Sequence, residues 1–411
     1  MVFSVGVTGA SAALNFAMQL IVMRLFGVAG YGAFAYWRNN VWLAGSIGRF
    51  GFQGLAFREL ALMQVQGSRE HLRSFTRLAV LVVLVLGSAA AGALLVADVA
   101  SLEPKGEGWL FWVSSLLFAA SLTANSAYRV LGSLRLSLVY DRVVQNALFI
   151  PLVLLAWIEG LTSVEALYAL LALSVAIPAA LNLAGAWRGG ARTRFPEEAV
   201  MPPPDWGKWL RSGWHLFLLA MASIVAQRGT LLIAGWYLSP ADLGRFAFMA
   251  MVAALISLPL TALNQVTAPA LARHRAAEEW QDIRAKIRFT RLAATLVGLA
   301  FSAVLLLAYP VVERLVGQPG LIDLPVFAVL LVATILNASF GPVAIGLSML
   351  GEERYAAAVL NMAVVLKIAA LLVAGSIGGL MGFAVIEVAF MLFWNGLMAW
   401  KLGRVLKARL A

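Results

Sequence analysis

The chain has 411 residues, 62% of them hydrophobic and 12% charged, with a mean hydropathy of +0.87, which excludes a soluble globular protein and points to an all-α integral membrane protein. Cysteine is absent, which excludes disulfides, Cys-based zinc sites and thiol nucleophiles. The net charge of +11 marks, in so apolar a chain, loops that face anionic lipid rather than nucleic acid.

The first residues, MVFSVGVTGASAALNFAMQLIVMR, lack the basic start and small-residue cleavage site of a signal peptide and read as a first span. Twelve stretches of about 20 apolar residues, each able to cross a ~30 Å hydrocarbon core, run near 2–23, 32–56, 77–98, 108–128, 137–157, 164–187, 213–237, 244–268, 292–312, 324–348, 356–376 and 380–400. The second carries Arg38 and Arg49, eleven positions apart, so both guanidiniums share one helix face about 16 Å apart along the axis. Each either snorkels to an interface or looks into a wet cavity. Between spans, Ser68–Leu78 and Glu278–Arg291 set apolar residues at helical spacing among charges and are expected to form short interfacial helices. The Pro-, Gly- and charge-rich RGGARTRFPEEAVMPPPDWGKW divides the chain into a lobe at 1–187, a linker at 188–211, a lobe at 212–400 and a basic tail at 401–411.

Sorting the 31 Lys and Arg by loop puts 23 on one side and 4 on the other, with Arg38, Arg49, Arg228 and Lys367 inside spans. By the positive-inside rule both termini and the linker are cytoplasmic. The chain also repeats itself: RLFGVAGYGAFAY at 24–36 lies over WYLSPADLGRFAF at 236–248, FTRLA at 75–79 recurs at 289–293, and VLGSLRL at 130–136 resembles MLGEERY at 349–355. Three matches in order imply duplication of a six-helix unit, the copies sharing one orientation across a parallel internal repeat.

No Walker loop, GxSxG, HExxH or histidine pair at metal-ligand spacing occurs, and the outward loops are too short for a membrane glycan polymerase or ligase. The reading is therefore of a protein that is not an enzyme and holds no cofactor or metal. What remains is charge in the bilayer. Arg38, Arg49, Arg228 and Lys367 are expected to converge on a central cavity that receives an anion, arginine's fork suiting phosphate oxygens. The alternative pairs Lys367 with Glu387, and Arg228 with a backbone carbonyl or Asp141. Glu387 and Asp141 are candidates for a coupling H+ or Na+, or neutralise nearby bases. Asn39, Gln53, Gln227 and Asn264 are candidate sugar contacts, though membrane amides also staple helices together.

RLFGVAGYGAFAY, RGTLLIAGWYLSPADLGRFAF, APALARHRAAEEWQDIRAKIRFTR and LGSLRLSLVYDRVVQNALFIPLVLL together resemble the polysaccharide transporter family, the Wzx-type flippases of the multidrug/oligosaccharidyl-lipid/polysaccharide exporter superfamily. The resemblance implies two six-helix lobes around a cavity open alternately to either side of a bacterial inner membrane. The implied cargo is an oligosaccharide on undecaprenyl diphosphate, destined for O-antigen, capsule or exopolysaccharide, with a polymerase and a chain-length regulator as pathway partners. Two departures stand out: Thr230 occupies a region of span 7 where relatives often place an acid, and the first span opens at Met1, which points to a start further upstream. A drug or cation antiporter of the same superfamily is the nearest rival, disfavoured by four bases within the spans. A lipid II flippase is the next, disfavoured by twelve spans rather than two more.

Overall fold

In a computed structural model, residues 2–99, 108–195 and 201–410 are described, and every regular element among them is helical. Two compact units divide the chain, one over Met1–Ile224 and one over Val225–Ala411.

In the first unit, α1 (Val2–Gly48) holds the first two expected spans in one run broken only at Gly27, whose φ of 72° and ψ of 178° are cheap for glycine alone. The chain doubles back there. The Tyr31 hydroxyl donates to Gln19 Oε1 at 2.6 Å and Arg38 Nη2 to Asn15 Oδ1 at 2.7 Å, whereas in a straight helix residues 15 and 38 would stand about 35 Å apart. α1 is thus an antiparallel hairpin with Gly27 at its tip. Phe50 (φ 44°) and Gly51 (φ 74°) then turn the chain into α2 (Phe52–Gln66), so the second span ends at Gly48 rather than near 56. α3 (Arg69–Val99) follows at once: the segment expected as a separate interfacial helix is its first turns, because nothing between Ser68 and Leu78 breaks the helix. Phe75 and Leu78 go into a core with Phe52, Leu55, Leu60, Met63 and Trp209.

α4 (Gly108–Leu131) leads to α5 (Leu134–Val139), a π-helical turn at Tyr140–Val144 and α6 (Gln145–Ile158), which together form one interrupted span. α7 (Val164–Arg192) starts where the Ser163 hydroxyl caps the Ala166 amide at 3.2 Å. Against these helices the second arm of α1 packs by its aromatics, Phe34 on Phe149 with centroids 5.5 Å apart and Trp37 stacked on Tyr168 at 4.4 Å. α8 (Trp206–Ala234) carries the division between the units within it, at Ile224 and Val225.

The second unit continues with α9 (Pro240–Ala254), capped by Ser239, then α10 (Ser257–Ala276) and α11 (Trp280–Val316), whose first turns again absorb an expected interfacial helix. α12 (Leu324–Phe340), capped by Asp323, α13 (Val343–Met349), α14 (Glu353–Ile377) and α15 (Gly379–Leu410) complete it. Leu271, Ile283, Ile287, Leu347, Met398 and Leu402 form one of its core clusters. Among the described residues, ten helical segments are long and apolar enough to cross a membrane, against the twelve expected. The difference lies in two places: the α1 hairpin counts as one segment, and the eighth expected span breaks near Leu255 into α9 and the more polar α10. Apolar side chains such as Val80, Leu81, Leu84 and Val85 on α3, and Leu292, Leu296 and Leu299 on α11, are exposed, as lipid-facing helices require.

Candidate functional site

The first unit carries two of the intramembrane bases. Arg38 is half-buried in the second arm of α1, and its guanidinium is held by the Asn15 side-chain oxygen of the first arm. Tyr31 and Gln19 repeat the same cross-arm pairing two turns nearer the tip. Asn39 beside it is almost wholly buried, at 2% exposure, and Asn40 donates to the Tyr36 carbonyl at 3.1 Å, so these amides face protein. Arg49 is buried just past the end of α1, where the main chain turns, and donates to Gln53 of α2.

Asp141 lies in the π-helical turn, where one extra residue per turn shifts side chains off the regular α-helical face. Its Oδ2 is 3.5 Å from Arg129 Nη2, and Arg142 and Arg49 also act on it electrostatically. The formal charge of these four groups is +2, so Asp141 neutralises a base here and leaves positive charge over. A polar cavity of about 290 Å³ opens among Gln64, Leu131, Gly189, Arg192, Thr193 and Arg194.

In the second unit, Gln227 and Arg228 are exposed neighbours on α8. Lys367 of α14 is the opposite case, with a side chain wholly enclosed. Its ammonium donates to Glu387 Oε1 at 2.8 Å and Oε2 at 3.1 Å and to the Ala226 carbonyl at 2.8 Å, and it stands 4.5 Å from the Phe390 ring centroid. Thr230 of α8 donates to Glu387 Oε1 as well, so two side chains, Lys367 and Thr230, meet at this acid of α15. The pairing of Lys367 with Glu387, one of two readings open from the sequence, is present. Asn264 is half-buried on α10, with its Oδ1 buried and unbonded among the described residues.

Sequence reasoning passed over Asn15, Gln19 and Arg129 as site residues. Asn15 and Gln19 were detectable: two amides one helical turn apart inside an apolar span share a face and need partners. Arg129 was counted as a loop base because it lies close to the end of its span, and Asp141, in the π turn, stands 3.5 Å from it. His274, Glu279 and Asp282 gather at the α10–α11 turn with ligand atoms within 4.8 Å of one another, but His274 Nδ1 and Glu279 Oε2 already close on each other at 2.6 Å.

Among solved structures, an inward-facing multidrug resistance MATE family transporter of the MOP superfamily superposes with a TM-score of 0.68 at 17% identity, covering 96% of each chain. The lipid II flippase MurJ in an inward closed conformation gives a TM-score of 0.75 at 9% identity over 98% of this chain and 88% of that one. A MOP superfamily transporter from Pyrococcus furiosus, described as having a binding pocket of reverse polarity, gives 0.56 at 15% identity, covering 100% and 95%. No curated protein matches in sequence. Residues 1–275 match the family described as polysaccharide biosynthesis protein. This match spans more than half of the sequence, and the chain accordingly belongs to the polysaccharide biosynthesis protein family, with the helical fold of MOP superfamily transporters.

Proposed function

We propose that the protein is a flippase that moves an oligosaccharide linked to a polyprenyl diphosphate from the cytoplasmic to the outer leaflet, by exposing a head-group site alternately to the two sides of the membrane. The observation that carries this reading is Arg38. Its partner, Asn15, is a neutral amide, which fixes the guanidinium in place without cancelling its charge. A fixed cation at membrane depth in a polysaccharide biosynthesis protein suits a phosphorylated carrier lipid, whose charge costs several kcal/mol at mid-bilayer unless it is met by the opposite charge. Arg49, held to Gln53, and Arg228 are assigned the same role. Asn39, Gln53, Gln227 and Asn264 are the proposed sugar contacts, while the prenyl tail stays in lipid. Lys367 is set apart from these cations because its ammonium is already met by a carboxylate.

The cation-antiporter reading is weaker because each candidate acid has a base against it, Asp141 with Arg129 and Glu387 with Lys367. In proteoliposomes loaded with polyprenyl-diphosphate oligosaccharide, Arg38→Ala should slow delivery of the glycan to the lectin-accessible leaflet by about tenfold or more, the loss of one charge-assisted contact being worth that factor. Arg38→Lys should retain part of the rate. Wild-type translocation by a correctly inserted Arg38→Ala protein would overturn the assignment.

A further inference from the structure

The surroundings of Lys367 describe a cation site as well as an ion pair. Helices α8 and α15 bring a main-chain carbonyl (Ala226), both oxygens of one carboxylate (Glu387) and an aromatic ring (Phe390) around the Lys367 ammonium of α14, and the Thr230 hydroxyl donates to the same carboxylate. Carbonyl and carboxylate oxygens converging from separate helices, with an aromatic face closing the shell, are the donors that hold alkali metal cations in a membrane. The place of such a cation is taken by the Lys367 ammonium, which is close to a potassium ion in size and carries the same charge. An ordinary structural pair needs only the carboxylate. Here the ammonium nitrogen lies within 3.1 Å of three oxygens, two of the Glu387 carboxylate and one of the Ala226 carbonyl, and its side chain has no exposure at all.

We propose that Ala226, Glu387 and Phe390, with Thr230 behind them, form an alkali-cation site whose resident ion is the chain's own Lys367 ammonium. The protein thereby carries a tethered cation in its C-terminal unit and takes none from solution. Withdrawing the ammonium unmasks the site, because a half-buried carboxylate left without its partner is unfavourable and recruits a small cation that fits. If the protein is a transporter, its work is then independent of a sodium or potassium gradient at this site. The site itself does not depend on what the cargo is.

The test is the thermal stability of the purified, detergent-solubilised full chain in NaCl, KCl, LiCl and choline chloride at equal ionic strength, together with equilibrium binding of radioactive sodium. Wild-type protein should melt at the same temperature in all four salts and bind no sodium. Lys367→Met should melt about 3 °C or more higher in one of the alkali salts than in choline chloride, and Lys367→Met/Glu387→Gln should lose that response. Recovery of folded Lys367→Met only when an alkali salt is present throughout purification also supports the proposal. It is overturned if wild-type protein is stabilised by an alkali ion through Glu387, if Lys367→Met responds equally to choline, or if that variant folds in no salt while the double variant does. Absence of glycolipid translocation by every form would remove the flippase reading and leave these melting curves unaffected.

Discussion

At the scale of single residues, the intramembrane charges divide by the chemistry of their partners. Arg38 and Arg49 are held by the amides Asn15 and Gln53, while Lys367 and Arg129 meet the carboxylates Glu387 and Asp141. An amide satisfies hydrogen-bonding geometry and leaves a unit charge; a carboxylate removes it. Asp141→Asn should therefore be a stability mutation first, costing about 1–3 kcal/mol through the loss of a partly enclosed charge partner. The double variant Arg129→Gln/Asp141→Asn should recover much of that loss. A double-mutant cycle from detergent melting curves checks this: coupling near zero would mean that the 3.5 Å contact contributes nothing. Asn15→Leu makes the complementary case. The Arg38 charge remains while its support is removed, so translocation should fall with little loss of expression, and a variant with the wild-type rate would show that the guanidinium needs no positioning.

At the scale of helices, apolar length located the long spans, because a stretch that must cross lipid has few alternatives to an α-helix, though not the shorter α2, α5 and α13. What the residues did not reveal was where helices join. The basic starts of α3 and α11 resemble surface helices by composition, yet no glycine or proline separates them from the spans that follow, so helical hydrogen bonding runs straight on. The turn between the first two expected spans falls at Gly27, inside the 24–31 gap they leave, although RLFGVAG does not by itself single out which glycine makes it. Its conformation makes it testable: Gly27→Ala should cost about 1–3 kcal/mol, since its φ and ψ fall where other residues are strained. Close packing gives a second test. A Cβ on Gly48 of α1 would come within 2.7 Å of the Gly87 Cα on α3, whereas one on Gly92 of α3 meets nothing within 4 Å. Gly48→Ala should lower stability by about 1–3 kcal/mol through overpacking against main chain, and Gly92→Ala should be neutral or raise it by about 0.5 kcal/mol through helix propensity. Equal melting temperatures for the two variants would mean that α1 and α3 separate at little cost.

At the scale of the whole molecule, the sequence repeat and the charge count carry different information. The repeat sets Arg24–Tyr36, around the tip of the α1 hairpin, over Trp236–Phe248, around the Ser239 cap of α9, so both copies mark a connection between consecutive membrane crossings. On the charge count we propose that those connections face the outer side, since the loops around them hold few of the 31 Lys and Arg. No list of contacts can supply that assignment, because a helical fold packs identically whichever side faces the cytoplasm; orientation comes from the asymmetry of charge across the membrane. The absence of cysteine makes the point directly measurable, since a single introduced thiol has no background. Ser239, exposed at the start of α9, and Ala191, exposed near the end of α7, lie on opposite sides in this reading. In intact cells with a permeable outer barrier, Ser239→Cys should react with a membrane-impermeant maleimide within minutes. Ala191→Cys should react only after the inner membrane is opened. The reverse pattern would invert the topology, and with it the direction of transport in the proposed cycle; labelling of both from outside would mean that an even number of crossings, rather than the single crossing of α8, separates residues 191 and 239.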